Sequence, residues 1–390
     1  MDAMTRAVVL AGGAARGAYG AGVARYIYTE LPRHLGWTPW PDLVSGTSVG
    51  ALNGVFVSSH DTAAVEYISN LWCNLSIEQV YNLRAFRAMG SLLWALRSSE
   101  VFSLLDASPL MELVKEAFPE AALRAAIDSG KCRGFFISAT DLATGFNTLF
   151  VDSKDDNLAQ GHPANVRTER VQVAPHHCLA SAALPLLFAP VEVGGRYYVD
   201  GGLRQNTPLR PVIQGGAQHV LVISGRRRPT EIEVADRPVT IPNLMYLAGK
   251  SLNSLLLDPV ERDLKTVDKV NRLLDLGQEI CGADFIHRAH VQMDVRRVET
   301  LFLRPSDDLG LLAREIYRET PPKVPALLRR MLNMAANPGA SVEADLLSYL
   351  FFDKAYTAEL ESRGFEDTRR QEENLAAFFE RSRSSSDVDL

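Results

Sequence analysis

Short apolar runs punctuate the first half of the chain, and glycines and then helical spacing follow the earliest of them. Arg6–Ala11 (RAVVLA) is compact and rich in Val, as expected of a parallel strand buried on both faces. Gly12–Gly17 follows, and then Ala18–Leu31, where Val23, Tyr26 and Ile27 recur at helical spacing. Leu43–Ser45 is a second short strand, and Val49–Ser59 a helix with Ala51, Leu52, Val55 and Phe56 as its apolar side. Strand, turn and helix thus recur within the first sixty residues. This pattern predicts a parallel sheet with helices on its faces.

Further along, residues 62–128 read as amphipathic helices broken near Gly90 and Pro109. Gly134–Thr140, Asn147–Val151, Val171–Ala174, Arg196–Val199, His219–Ser224 and Glu299–Leu303 read as strands. Residues 244–277 read as one or two helices. Residues 308–380 read as mostly helical, with breaks at Pro321-Pro322 and Pro338-Gly339. The expected division is an α/β domain over 1–290, a helical extension over 291–380 and a disordered polar tail over 381–390.

Composition narrows the functional classes. The chain has 390 residues, of which 46% are hydrophobic and 23% charged, enough for a sizeable core. A net charge of −6 provides no basic field, so nucleic acid is not an expected partner. Cys73, Cys132, Cys178 and Cys281 are too far apart for a zinc or disulfide framework and read as reduced thiols. The apolar run Ala7–Ala11 is too short for a signal sequence, and no stretch approaches membrane-span length. The expected location is cytoplasmic, with any membrane contact peripheral.

Three short segments carry candidate chemistry. In Gly46-Thr47-Ser48-Val49-Gly50 a serine sits between a strand and a helix, the context a nucleophile elbow needs. The flanking glycines, Gly46 and Gly50, avoid crowding at a tight turn, and the next helix aims its N-terminal amides at the site. Only one strand precedes this elbow, and no His-Gly-Gly loop lies upstream, so an ordinary Ser–acid–His order is not indicated. Gly12-Gly13-Ala14-Ala15-Arg16-Gly17 joins a strand to a helix, and its amides can face a common cavity. Ala14 breaks the dinucleotide pattern, which would need glycine there. Asp200 ends a strand and is followed by Gly201 and Gly202; it is either a positioned base or an Asx turn.

Taken in order, these blocks resemble the patatin-like phospholipases. Ala180-Ser181-Ala182-Ala183-Leu184-Pro185 through Pro190, and Asn206-Thr207-Pro208, add to the resemblance, which covers roughly residues 5–225. It implies a three-layer α/β/α fold with a mainly parallel sheet, and a Ser–Asp dyad in place of a triad. Ser48 would attack an acyl ester of a phospholipid, lysophospholipid or related lipid, and Asp200 would take the serine proton and later activate water. Amides of Gly13 and Ala14, with Gly12, would hold the oxyanion, and Arg16 would brace the loop or meet substrate phosphate. Family members usually carry glycine where Ala14 stands. Its N–H survives as a donor if φ is negative, and a positive φ would cost energy. No metal, calcium or organic cofactor is implied. Acyl transfer to an alcohol or thiol would use the same acyl-enzyme. A catalytically weak lipid-sensing or scaffold protein is the non-enzymatic alternative.

Other features compete for attention. His176-His177 and His287/His290 lack carboxylates at ligand spacing, so no metal site is expected; a triad through His219, His287 or His290 is a formal alternative. Arg226-Arg227-Arg228 reads as a solvated loop or as a head-group patch. In residues 83–105, Leu83, Phe86, Met89, Leu92, Leu93, Trp94 and Leu96 alternate with Arg84, Arg87 and Arg97. That mixture suits either an interfacial helix or ordinary packing on the sheet.

Overall fold

The computed structural model describes residues 4–83, 105–227 (without 162, 164, 186 and 206–208), 258–336 (without 283 and 294) and 345–383. Nine strands form one sheet: β1 (Arg6–Leu10), β2 (Leu43–Thr47), β3 (Gly134–Asp141), β4 (Asn147–Asp152), β5 (Val166–Arg170), β6 (Val191–Val193), β7 (Arg196–Asp200), β8 (His219–Ile223) and β9 (Glu299–Leu303). The main path runs β5-β4-β3-β2-β1-β8-β9, and it is parallel except where β4 reverses against β3. The mainly parallel three-layer arrangement expected from the apolar runs is the one observed.

Side-chain alternation along the central strands divides the core. In β1, Val8 and Leu10 enter one apolar cluster, and Ala7 and Val9 enter the other. The larger cluster is covered by α1 (Gly17–Arg25), α2 (Val49–Ser58), α3 (Thr62–Asn74), α4 (Ser108–Ala117), α5 (Pro175–Ala182), α6 (Asp345–Leu350) and α7 (Lys354–Arg369). Pro109 begins α4 rather than breaking a helix, as expected for a residue whose missing N–H would be unpaired in the first turn anyway. The segment Val171–Ala174, read as a strand, is instead an extended lead-in to α5. The strand is β5, Val-Arg-Thr-Glu-Arg, a polar edge strand with no apolar run to reveal it.

The last helices close onto the first. A Cβ at Gly22 of α1 would lie 1.9 Å from the carbonyl oxygen of Glu361, and one at Gly364 of α7 would lie 2.0 Å from that of Tyr19. The two backbones therefore touch, which only glycine permits at the crossing. Glu361, 3% exposed, is buried beside this contact and pairs with Arg25 of α1 at 2.6 and 3.1 Å, while Ser69 of α3 also hydrogen-bonds it. Gly22→Ala or Gly364→Ala should cost about 1–3 kcal/mol by overpacking. A urea midpoint as high as that of the wild type would show that the helices do not meet this closely.

Candidate functional site

The turn at the end of β2 holds Ser48 at φ 57°, ψ −130°, a conformation that L-residues rarely adopt and that costs of order 1–3 kcal/mol. The neighbouring glycines make room for it. A Cβ at Gly46 would meet the Gly50 carbonyl at 2.5 Å, and one at Gly50 would meet the Leu10 carbonyl at 2.2 Å. The Ser48 N–H donates to Ser181 Oγ at 2.8 Å, and that hydroxyl donates to the Ser138 carbonyl at 2.6 Å. Ser181 thus ties the strained turn to α5 and β3. The sequence marks Ser181 only as part of the stretch Ala180–Pro185, because nothing distinguishes one buried helical serine from another before its partners are known.

Asp200 reaches the same place from the opposite direction. β2 pairs with β3 as far as Thr47–Ser138, and antiparallel β7 takes up the next residue of β3, pairing Asp200 with Ala139. The two strands meet end to end along one edge of β3, so Ser48 and Asp200 converge at their junction. Asp200 is fully buried, and its Oδ1 accepts from the Gly202 N–H at 2.7 Å. Gly201 is squeezed against β3, where a Cβ would sit 2.2 Å from the Ser138 carbonyl. Oδ2 has no hydrogen-bond partner among the described residues. Burial pushes the carboxyl up to about 6; the nearby Ser48 hydroxyl and the Gly202 N–H oppose that rise. The hydroxyl is close enough to be felt, yet no bond of normal geometry joins it to Oδ2.

The glycine loop occupies the end of β1. Ala14 has φ 49°, the costly sign for an alanine. It opens a single tight turn, Ala14–Arg16, closed by the Arg16 N–H donating to the Gly13 carbonyl at 3.0 Å. The N–H groups of Gly13 and Ala14 donate to no described residue. Arg16, 5% exposed, is enclosed by the C-terminal helices: Nε bonds Ser348 Oγ at 2.9 Å, Nη2 pairs with Asp345 at 3.1 Å, and the guanidinium lies 4.5 Å from the Tyr349 ring centroid. Gly17 allows α1 to approach α2, for a Cβ there would lie 2.1 Å from Val49 Cγ2. The Asn53 amide donates to the Gly17 carbonyl at 2.8 Å and accepts from Trp72 at 3.0 Å, joining α1, α2 and α3.

Ser48 and Ala14 both line an apolar cavity whose walls include Leu52, Trp72, Leu110, Val114, Phe188 and Phe352. Among the described residues no histidine hydrogen-bonds Ser48. His219 begins β8 at the opposite end of the strands, beside Met4 and Glu299, and His177 accepts from the Ala174 N–H. His287 and His290 lie on a separate helix, Asp284–Met293. No three metal-ligating side chains come together among the described residues. No helix among them is long and apolar enough to cross a membrane. The basic-apolar stretch 84–104, Asn206-Thr207-Pro208, Arg228 and the tail from 384 lie outside the described residues.

Residues 8–213, more than half of the chain, match the family described as patatin-like phospholipase. The chain belongs to that family, and the membership makes it a lipid-hydrolysing enzyme. No curated protein matches it. The crystal structure of VipD from Legionella pneumophila is similar at 12% identity with a TM-score of 0.34, over 95% of this chain and 67% of that one.

Two stability measurements test this geometry. Ala14→Gly should stabilise the fold by about 0.5–1 kcal/mol, the αL cost less the added flexibility of glycine. A destabilised variant would mean that residue 14 does not have positive φ. Asp200 keeps its proton more tightly folded than unfolded, so its ionisation costs stability as pH rises from about 3.8 to about 6, and the full cost persists above that. Asp200→Asn should therefore gain roughly 2–3 kcal/mol at pH 8 and little near pH 3. Equal effects at both values would exclude a raised Asp200.

Proposed function

We propose that the protein cleaves lipid acyl esters through a covalent intermediate on Ser48, with Asp200 as the base. The observation that carries this reading is the end-to-end meeting of β2 and β7 on β3, which brings an elbow serine and an unpaired carboxylate oxygen to one point. The acyl chain lies in the apolar cavity that Ser48 borders.

Attack by Ser48 Oγ on the ester carbonyl transfers its proton to Asp200. The oxyanion is held by the N–H groups of Gly13 and Ala14, with Gly12 in the same loop. Asp200 then protonates the departing alcohol, leaving an acyl-serine. It next takes a proton from water, and the hydroxide equivalent attacks the acyl carbonyl and releases the fatty acid. A base near 6 is better matched to serine at neutral pH than an ordinary aspartate, and burial supplies that adjustment. Arg16 and Gly17 hold the loop, and the glycine pairs Gly46/Gly50 and Gly201/Gly202 hold the two turns.

A fluorophosphonate probe should label the wild type and leave Ser48→Ala unlabelled. Asp200→Asn should lose about a hundredfold or more in turnover of a soluble ester. For the wild type, kcat/KM should rise about tenfold per pH unit below 6 and level off above it. Labelling that persists in Ser48→Ala, or a flat profile through pH 6, would defeat the mechanism. Product analysis with added alcohol separates hydrolysis from acyl transfer.

A further inference from the structure

Close to the candidate site, the turn between β3 and β4 carries two large apolar side chains into water. Leu142 is 54% exposed and Phe146 49%, and Tyr197 on neighbouring β7 is 48% exposed. They surround one turn: the Leu142 N–H donates to the Tyr197 carbonyl at 2.9 Å, and the Phe146 carbonyl closes the turn by accepting from the Asp141 N–H at 3.0 Å. The patch lies where β3 continues past its Ser138 and Ala139 partners, at the strand ends that carry Ser48 and Asp200.

The turn is not a loose loop. Asp141, 1% exposed, accepts from the Ala143 and Thr144 N–H groups at 2.8 and 3.1 Å, and Arg196 pairs with its other oxygen at 2.7 Å. Gly145 takes the left-handed conformation, φ 69°, that completes the turn. A connection that only reverses the chain favours Gly, Pro, Asn, Asp and Ser. This one is hydrogen-bonded into a fixed shape that holds Leu142 and Phe146 away from the core. Arg204 lies beside Gly145, 3.3 Å from where a Cβ would stand, and Glu192 is the register partner of Tyr197. The patch is therefore apolar first and only weakly charged.

We infer that the rigid β3–β4 turn, with Leu142, Phe146 and Tyr197, inserts into a lipid surface and brings the strand ends that carry Ser48 and Asp200 toward it. This rests on the reading of the site as an acyl hydrolase, since a lipid ester held in a bilayer or micelle must reach Ser48 from such a surface. Penetration is by apolar contact, so zwitterionic lipid suffices and anionic lipid adds little.

The test uses the full chain, large vesicles of phosphatidylcholine with or without phosphatidylglycerol, and 4-nitrophenyl butyrate as a soluble ester. The wild type should co-sediment with both kinds of vesicle. Leu142→Ser/Phe146→Ser should bind at least about tenfold more weakly while turning over the soluble ester within about twofold of wild type. If the double variant fails to fold, Phe146→Ser alone makes the same comparison. Vesicle binding equal to wild type overturns the inference. So does a wild type that hydrolyses the soluble ester but ignores vesicles, or a wild-type dimer that the substitutions split while vesicle binding is unchanged. A wild type that binds vesicles through this turn but never cleaves the soluble ester would instead defeat the hydrolase reading.

Discussion

Strand β3 is the element on which the candidate site depends. It receives β2 from one direction and β7 from the other, and the junction falls between Ser138 and Ala139. Each visiting strand ends at one candidate side chain, Ser48 directly after β2 and Asp200 as the last residue of β7. The distance between the two is therefore a property of sheet register, where a slip of one residue would turn every side chain to the other face. The β7 insertion is short, yet it brings the carboxyl group of residue 200 to the strand junction beside Ser48.

That arrangement works against stability at several points at once. Ser48 has an unfavourable backbone conformation, Ala14 has a positive φ, and Asp200 is a buried acid with one oxygen unpaired. Such features persist only where the surroundings over-determine them. Here Ser181 holds the Ser48 amide, close glycine contacts fix the turns, and α6 clasps Arg16 directly after Ala14. The cost is local and the compensation comes from far along the chain.

Legibility in the sequence followed the same division between local and distant. β1 and β8 carry near-continuous apolar runs, and β2 and β3 shorter ones, because both faces are covered, and such runs are visible without a structure. The elbow, the glycine loop and the Asp-Gly-Gly turn were visible because tight backbone geometry demands particular small residues. β5 was missed because an edge strand of alternating polar residues carries no burial signal. Ser181 and Asn53 act through two hydrogen bonds each, which leave no periodic trace. The sign of φ at Ala14 could be posed as a question but not answered, and Asp345 and Ser348, which hold Arg16, lie more than three hundred residues away.

The contact between Gly22 and Gly364 also has a consequence for the order of events during synthesis. The helix that follows the glycine loop presents a bare strip of backbone that α7, at 354–369, covers. A nascent chain folds from its N-terminus as it emerges, yet Arg16 has no Asp345 or Ser348 to grip until those residues have been made. Strands β1 to β8 can pair before then, while the loop beside Ser48 waits for a helix more than three hundred residues downstream.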